Sequence, residues 1–309
     1  MFDLEEMTKD FRHETGARVI ADSIAPNGCR LTTIEVTFHR FILAEVNTHR
    51  KPSRNSASSR AIPFEKMLAR AMRYPAKPIS MPCEQPGMSG GEELTGVELK
   101  DAQWMLEDIR AATIGILQQY IKEHPDKSKR LHKSILNRPL EWFMWHTAVM
   151  SSTEWENMLG QRDTPLAQPE FAVLARLVRE ALQDSTPAPI EWGGLHLPYI
   201  GINDDDLILS PLEKLKISTA RCARVTHLTH DGIRDTSEDL RMFEQTLWSN
   251  GHWSPMEHPA VATSSVDSRN FDEGWAQLRS FADTGNMELL QAILALDRTT
   301  EIKRFGTGI

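Results

Sequence analysis

The residues best suited to chemistry lie between Glu45 and Arg60, in the stretch EVNTHRKPSRNSASSR. The stretch is locally basic, because no acid occurs between Glu45 and Glu65 although the whole chain has a formal net charge of -8. Its basic side chains are His49, Arg50, Lys51, Arg54 and Arg60, and its short polar ones are Ser53, Asn55, Ser56, Ser58 and Ser59. Arginine and lysine supply charge while hydroxyl and backbone N–H groups supply directed hydrogen bonds, so the mixture suits a phosphate monoester or a pyrophosphate. A solvated loop would have a similar composition, and composition alone leaves both interpretations open.

The elements that must position these residues are a helix and the polar run that follows it. Apolar residues at Phe38, Phe41, Ile42 and Val46 recur at helical spacing. Pro52 disfavours helix at the residue before it, so the helix should stop near residue 50. The polar run then follows a helix C-terminus, where the macrodipole favours cations.

Length and composition place the chain among globular proteins. Its 309 residues are 40% hydrophobic and 25% charged, and we expect one catalytic domain over residues 1–309. We find no run of 18 apolar residues and no secretory signal, so we expect no membrane span and a cytoplasmic location. Cys29, Cys83 and Cys222 are too widely spaced to suggest a disulfide framework or a cysteine zinc site. The acidic balance argues against nucleic-acid binding.

The remaining pattern predicts an α+β fold with a small, mostly antiparallel sheet and several long helices. Strands are predicted at 17–24 and 30–38, with a turn at 26–28. Helices are predicted at 63–73, 100–124, 169–183, 211–225 and 235–250. Residues 131–162 are interpreted as helices broken near Ser151, with Thr153 as N-cap, and residues 267–296 as two short helices separated at Gly285.

Three patches resemble the flavin-dependent thymidylate synthases. The first patch is similar to that family's Arg-His-Arg-x7-Ser-x-Arg signature, and it runs from Thr48-His49-Arg50 through seven residues to Ser58 and then Arg60. Residues 157–162 (NMLGQR), followed by 167–170 (AQPE), are similar to its Asn…Arg-x4-Ala-Gln-x-Glu segment. The third patch, residues 251–258 (GHWSPMEH), is similar to the family's Gly-His-x-Ser/Thr-x-x-Glu-His element. The upstream residues 220–224 (ARCAR) are similar to the Arg-x-Cys that precedes that element.

The order of the patches differs from the family's. The Gly-His…Glu-His element there precedes the Arg-His-Arg helix, whereas here it follows about two hundred residues later. The resemblance therefore implies a divergent, bacteriophage-like member with a permuted segment order. Its core motifs would lie in 30–60, 130–170 and 217–262, with a helical extension at 267–309. We predict that 217–262 packs beside 30–60, in the same subunit or in a neighbour.

The resemblance also implies an activity: conversion of dUMP to dTMP, with methylenetetrahydrofolate as one-carbon donor and NADPH as reductant through FAD. It assigns Arg162 and Ser58 to catalysis, Arg162 by stabilising charge on the uracil carbonyls. The implied substrate-binding residues are Glu45, Ser58, Ser59, Arg60, Lys133 and Arg162, with Arg60 at the 5′-phosphate. The implied cofactor-binding residues are Thr48, His49, Arg50, Asn55, Asn157, Ser254 and His258. A homo-oligomer, typically a tetramer, with sites where subunits meet is also implied.

Departures from the family keep other functions open. Thr48 stands for an arginine, Ser56 for a common glutamate and Ala61 for a common tyrosine, while Ser151 and Thr153 replace an asparagine and an arginine used near flavin. These changes motivate two alternatives, a flavin-dependent pyrimidine-nucleotide hydroxymethylase and a non-catalytic nucleotide- or flavin-binding homologue.

A metal site is a further possibility, because His227 and His230 form an HxxH. No HExxH accompanies the pair, and we expect no bound metal.

Overall fold

The computed structural model describes residues 12–201, 209–225, 235–264 and 269–295. Its larger sheet has five strands in the order β3-β4-β2-β1-β5. They are β1 (Gly16–Ile24), β2 (Arg30–His39), β3 (Ser53–Ser56), β4 (Trp145–Ser152) and β5 (Ala188–Pro189). All neighbours in this sheet are antiparallel except β1 and β5. The α+β class with a small, mostly antiparallel sheet is confirmed.

Ten helices surround this sheet and a smaller one in the described residues. They are α1 (Leu43–Val46), α2 (Phe64–Arg73), α3 (Gly96–Glu123), α4 (Lys133–Leu136), α5 (Glu156–Arg162), α6 (Pro169–Asp184), α7 (Pro211–Ala223), α8 (Thr236–Met242), α9 (Leu278–Thr284) and α10 (Met287–Ala295). Short 3₁₀ turns lie at Arg40–Ile42, Ser59–Ala61, Lys127–Lys129, Arg138–Phe143 and Ser254–Glu257, and a π-helix spans Phe243–Trp248. The smaller sheet has the order β6 (Leu195–His196), β7 (Ala260–Thr263) and β8 (Gly274–Gln277).

The larger sheet has one apolar face, which α5 and α6 cover. On β2 the alternating residues Ile34, Val36 and Phe38 point to that face and join the core formed with Phe171 and Leu174 of α6. The helix fits there because its buried residues recur three and four positions apart, which places them on one stripe.

The opposite face of the same sheet is polar and nevertheless buried. The alternate β2 residues Thr33, Glu35 and Thr37 are all less than 4% exposed. The chain after residue 190 covers this face: the Tyr199 hydroxyl, for example, donates to Glu35 Oε2 at 2.8 Å. Because buried polar groups need hydrogen-bond partners, the segments that pack against this face must supply donors and acceptors at matching positions.

Three sequence predictions about elements are wrong. The helix predicted from Phe38 to residue 50 is confined to a 3₁₀ turn and the four-residue α1, because β2 continues through His39. The helix predicted within 131–162 is instead the strand β4 at Trp145–Ser152, since it pairs with both β2 and β3. The proposed N-cap at Thr153 is also wrong, because α5 begins at Glu156 after Trp155. Pairing on both sides outweighs a helical pattern of apolar residues.

A buried ion pair joins α7 to α8. Arg221 Nε lies 2.9 Å from Asp239 Oδ2, both side chains are at most 2% exposed, and Arg224 pairs with the same carboxylate. A second nitrogen of Arg221 donates to the carbonyl of Tyr199 at 2.9 Å. The pair therefore ties the two helices to the segment that covers the polar face of the sheet.

We expect the substitution Asp239→Asn to lower the free energy of unfolding by about 3–5 kcal/mol, because it leaves buried arginine charge uncompensated. Urea denaturation monitored by circular dichroism measures the loss. The matched control is Glu238→Gln, one residue earlier, whose ion pair with Arg241 is exposed and should leave stability nearly unchanged. Equal losses for the two variants would contradict the assignment.

Candidate functional site

The edge strand β3 divides the predicted site residues into two groups. Its residues alternate between faces, and its register with β4 pairs Arg54 with Met150 and Asn55 with Val149. Met150 belongs to the apolar core under α6, whereas Val149 packs with Cys222 on the other side. Residues contacted by Arg54 and residues contacted by Asn55 therefore lie on opposite faces of the sheet.

The first group, which we call the His49 cluster, comprises Thr48, His49, Arg54, Arg162 and Phe171. Arg162, the last residue of α5, donates from Nε to His49 Nε2 at 2.8 Å and from a terminal nitrogen to Thr48 Oγ1 at 3.2 Å. Its guanidinium lies 4.9 Å from the centre of the Phe171 ring, a cation–π contact. Arg54 donates to the carbonyl oxygen of His49. Arg162 is thus held in one orientation by three neighbours.

His49 is buried and electrically neutral within this cluster. Burial lowers the pKa of His49, and the positive charges of Arg162 and Arg54 lower it further. A neutral imidazole accepts the hydrogen bond from Arg162 without adding a second charge. The sequence analysis assigned His49 to cofactor binding and Arg162 to substrate binding, and the structure places the two side chains in direct contact.

Glu45 lies one turn before this cluster with an unsatisfied oxygen. The Thr48 hydroxyl donates to the backbone carbonyl of Glu45 at 2.6 Å, while Glu45 Oε2 is buried without a hydrogen-bond partner among the described residues. Because such an acceptor is costly when left unpaired, Glu45 is suited to receive a donor from outside these residues.

The second group, the Asn55 cluster, comprises Asn55, Ser151, Cys222, Ser254 and His258. Asn55 donates to the carbonyl of Cys222 at 3.0 Å and accepts from the Ser254 hydroxyl at 3.1 Å. The Ser254–Glu257 turn and α7 both pack on β3. The prediction that 217–262 packs beside 30–60 is therefore confirmed, and the contact occurs within one chain.

His258 ends a chain of buried polar side chains that crosses the sheet. Ser151 Oγ lies 2.9 Å from His258 Nδ1 and 2.6 Å from Thr33 Oγ1. Thr33 Oγ1 lies 2.8 Å from His196 Nε2, whose Nδ1 lies 2.9 Å from Ser23 Oγ. Burial lowers the pKa of both His258 and His196 to about 3. His258 Nε2 is buried and unpaired among the described residues.

A third group surrounds the Ser59–Ala61 turn. Ser59 is buried and its hydroxyl donates to Glu141, while Asn137 Nδ2 donates to the carbonyl of Ser59 at 2.7 Å. Lys133 Nζ donates to the carbonyl of Ala61 at 3.2 Å. The side chains of Ser58 and Arg60 are exposed, so this turn presents a hydroxyl and a guanidinium outward beside a lysine. Such a surface suits a phosphate group.

Glu141 is the residue of this region that sequence reasoning missed. Glu141 accepts hydrogen bonds from Ser59, Arg40 and Arg138. Burial, together with the charge of Arg40, lowers the pKa of the nearby His146 to about 3. A lone acid within the apolar stretch 139–145 was the available signal.

The three groups do not form one contiguous set of contacts in a single chain. Among the described contacts, Arg60 touches neither Arg162 nor His258. The remaining predicted cofactor residues Arg50 and Asn157 are exposed, and the backbone N–H of Asn157 donates to Glu154 at 2.7 Å.

His227 and His230 lie outside the described residues, and within the described part no group of three or more His, Cys, Asp or Glu is arranged to hold a metal. No helix in the described ranges is both long and apolar enough to cross a bilayer.

Comparison with known proteins gives partial structural overlaps. No protein-family model matches the sequence, and no curated protein matches it. A UMP/dUMP methylase, PolB from Streptomyces cacaoi bound with 5-Br UMP, superposes with a TM-score of 0.41 and 11% identity over 55% of this chain and 89% of that chain. Thymidylate synthase X from Helicobacter pylori with FAD and dUMP superposes with a TM-score of 0.31 and 18% identity over 49% of this chain and 67% of that chain. Overlaps this weak establish neither a family nor an activity.

The buried histidines predict a steep pH dependence of stability. A histidine in the unfolded chain gains its proton near pH 6.5, whereas His146, His196 and His258 stay neutral in the fold down to about pH 3. The unfolded state then binds up to three more protons, so the free energy of unfolding should fall with decreasing pH between these values, by up to about 4 kcal/mol per pH unit. Urea denaturation at several pH values measures this slope.

The substitution His196→Gln should reduce that slope by about one proton, because one of the three neutral histidines is removed. The exposed His252→Gln is the control and should leave the slope unchanged. A wild-type slope of less than one proton would show that these histidines titrate normally.

Proposed function

We propose that this protein is a flavin-dependent thymidylate synthase that methylates dUMP, with methylenetetrahydrofolate as one-carbon donor and NADPH as reductant. The observation that carries the proposal is the packing of two distant segments against the edge strand β3, which itself lies in the first motif segment. Residues 48–60, 151–162 and 254–258 carry the motif residues, and hydrogen bonds join Arg162 to His49, Ser254 to Asn55, and His258 to Ser151. Sequence patches that are far apart in the chain and in an unexpected order thus converge on one edge strand, with the His49 cluster on one face of the sheet and the Asn55 cluster on the other.

Arg162 would be the principal electrostatic catalyst. Its orientation is fixed by His49, Thr48 and Phe171 before any ligand arrives, and fixed donors stabilise developing charge most effectively. Placed against a uracil carbonyl, the guanidinium would stabilise the negative charge that builds on the ring. Neutral His49 would keep it aligned.

Arg60 and Ser58 would bind the 5′-phosphate. Both side chains are exposed beside Lys133, and the 3₁₀ turn at Ser59–Ala61 is held from below by Asn137 and Glu141. Ser59 would act by positioning this turn, since its own hydroxyl is buried. Glu45 would meet the nucleotide through its unpaired carboxylate oxygen.

The residues present partly fit FAD, which would supply the hydride to the pyrimidine ring when bound. Arg50 offers an exposed cation for the pyrophosphate, and Thr48, Asn157 and Ser254 offer exposed hydrogen-bonding groups. Asn55 would act by positioning Ser254, because both ends of the Asn55 amide are already hydrogen-bonded. His258 would act by positioning Ser151, because the His258 side chain is fully buried.

The site would be completed by a second copy of the chain. Arg60, Arg162 and the Asn55 cluster lie in separate groups within the described part of one chain, yet the proposed reaction requires the nucleotide to reach them together. We therefore propose a homo-oligomer, in line with the tetramer that the family resemblance implies. Light scattering of the purified protein measures its mass, and a monomer at assay concentration would oppose this part of the proposal.

A hydroxymethylated product is the second candidate. It is favoured by the two substituted flavin-side positions, because Ser151 is fully buried between Thr33 and His258 and the Thr153 hydroxyl donates to Asp272 at 2.8 Å. With neither side chain free for the flavin, a water molecule could replace the last hydride.

The product itself decides among the candidates. The full-length protein is incubated with FAD, dUMP, methylenetetrahydrofolate and NADPH, and the nucleotide is analysed by mass spectrometry. We expect the mass of dTMP, whereas the mass of 5-hydroxymethyl-dUMP would establish the second candidate. Flavin binding with an unchanged nucleotide would favour a non-catalytic homologue, and failure to take up FAD would contradict the proposal.

We expect Arg162→Ala to lower kcat/KM by about 10²–10³ while FAD content is retained, and Arg60→Ala to raise the KM for dUMP about 10–100-fold through loss of a charged hydrogen bond. Steady-state kinetics and flavin absorbance measure both effects. Arg176→Ala, an exposed arginine on α6, is the matched control and should behave as wild type. Full activity in Arg162→Ala would remove that residue from the site.

A further inference from the structure

The long helix α3 carries apolar residues on two faces, and the chain covers only one of them. On the inner face Ile114 and Leu117 are buried in a core that they share with α2. The outer face carries large apolar side chains that are at least half exposed: Trp104 (72%), Met105 (54%), Ile109 (50%) and Ile116 (70%). A helix that is apolar on opposite faces is normally covered on both, so the outer face lacks a covering element within the described part of this chain.

The outer apolar residues form one surface. Met105, Ile109 and Ile116 follow one another at intervals of four and seven positions, which places them in one row along the helix. Trp104 flanks that row. The four side chains leave roughly 500 Å² of apolar area in water. Apolar residues exposed singly are ordinary, but a patch at the upper end of what soluble monomers show marks an interaction surface.

The patch has the length of a short helix. Exposed polar residues bound it at both ends, Glu98 before it and Gln119 after it. Between them the patch runs from residue 104 to residue 116, about 18 Å along the helix axis. Gly115 lies on the same face, and no other described atom lies within 4 Å of where its Cβ would be. The backbone of a partner can therefore approach closely at this point.

Acidic side chains accompany the apolar row. Asp101 and Asp108 are both exposed, and their spacing of seven residues places them on the same face as the patch. Lys100 lies to the side of this face. Arg110 lies on the inner face, where it donates to the carbonyl of Ala71 at 3.0 Å. Neither aspartate forms an ion pair with these neighbouring cations, so the outer face presents apolar side chains together with negative charge.

We infer that the outer face of α3 binds a basic amphipathic helix of a partner protein. Such a helix would bury its apolar side chains, three and four positions apart, against Trp104, Ile109 and Ile116. Lysine or arginine residues beside its apolar stripe would pair with Asp101 and Asp108, which gives the contact its charge complementarity. No residue of this face belongs to the predicted site, and the inference does not depend on the proposed function.

The same two aspartates argue against other occupants of the face. A second copy of α3 would bring its own Asp101 and Asp108 to the contact, and like charges placed together at an interface are unfavourable. Helices that lie on membranes carry lysine and arginine beside their apolar face, because the bilayer surface is negatively charged. A basic helix satisfies both the apolar surface and its charge.

The probe for this surface is a fluorescein-labelled peptide of about 14 leucine and lysine residues, four turns of helix, with leucines three and four positions apart. Fluorescence anisotropy measures its binding to the full-length protein. We expect saturable binding, and at least tenfold weaker binding of a peptide that has the same composition in scrambled order. A peptide with glutamate in place of lysine should not bind, because it meets the aspartates with like charge.

The double substitution Ile109→Ser and Ile116→Ser should weaken peptide binding about tenfold or more, because it removes apolar contacts without changing charge. The matched control is Leu166→Ser with Met88→Ser, since both of these side chains are highly exposed apolar residues away from α3. The control should bind the peptide as wild type does. Circular dichroism of each variant checks that the fold is intact.

The charge is tested by Asp101→Asn with Asp108→Asn, which should weaken binding about threefold to tenfold and reduce its dependence on salt. The matched control, Asp184→Asn with Glu191→Gln, removes the same charge from exposed positions elsewhere. It should leave the affinity and the salt dependence nearly unchanged. An equal effect of the two double variants would mean that the peptide senses only the net charge of the protein, and would overturn the inference.

Other results would also overturn the docking of a partner helix. They are the absence of peptide binding, equal binding of the scrambled peptide, or wild-type affinity in folded Ile109→Ser with Ile116→Ser. A lower mass of this variant in light scattering would assign the face to a contact between copies. Flotation of the wild-type protein with phosphatidylcholine–phosphatidylserine vesicles, lost in the variant, would assign the face to a membrane instead.

Discussion

The pairing of β3 with β4 is the constraint on which the arrangement of the candidate site residues depends. β3 contributes only four residues at the edge of the sheet, but its alternation assigns Arg54 to the His49 cluster and Asn55 to the Asn55 cluster. A shift of one residue in this register would exchange the two faces. The polar contacts of Ser53 with Gln277, at 2.8 Å, and of Asn55 with Ser254 oppose such a shift, because they would be lost with it.

The buried polar face of the sheet explains why the two halves of the chain are interdependent. A sheet face lined by threonine, serine and glutamate gains little from apolar burial and must be satisfied by hydrogen bonds. The later half supplies those partners, including Tyr199 for Glu35 and His196 for Thr33. Its segments therefore act as specific hydrogen-bonding partners of the first sheet, in addition to having the separate apolar core around Phe281 and Val261.

The sequence predicted the outer elements better than the central ones. The helices now called α2, α3, α6 and α7 lie within a few residues of their predicted positions, because each has a clear apolar stripe or a proline near its start. The strand β4 was missed because both of its faces are covered, by the apolar core under α6 on one side and by Tyr199 and Cys222 on the other, so its apolar residues do not alternate cleanly with polar ones. β8 was missed for a similar reason, since its four residues are all buried.

The contacts among the candidate site residues could be predicted in part. Spacing within the motifs identified His49, Asn55, Arg162, Ser254 and His258, which the structure joins by hydrogen bonds to one another or to close neighbours. The spacing of motif residues carries no information on their burial, so it did not predict that His258 is fully buried. It also gave no sign of Glu141, whose importance comes from neighbours distant in sequence such as Ser59 and Arg40.

The polar chain from Ser23 to His258 has one further consequence, which follows from counting protons. A neutral imidazole has one N–H, and each hydroxyl has one hydrogen to donate. In one direction His196 Nδ1 donates to Ser23, and His196 Nε2 accepts from the Thr33 hydroxyl. Thr33 then accepts from Ser151, and Ser151 accepts from His258 Nδ1. His258 Nε2, the outer nitrogen, is left with a lone pair and no hydrogen. If every bond reverses, that nitrogen carries a hydrogen instead. The two histidines therefore share a single tautomeric choice, and whatever group meets the outer nitrogen of His258 selects the direction of the entire chain as far as the first strand.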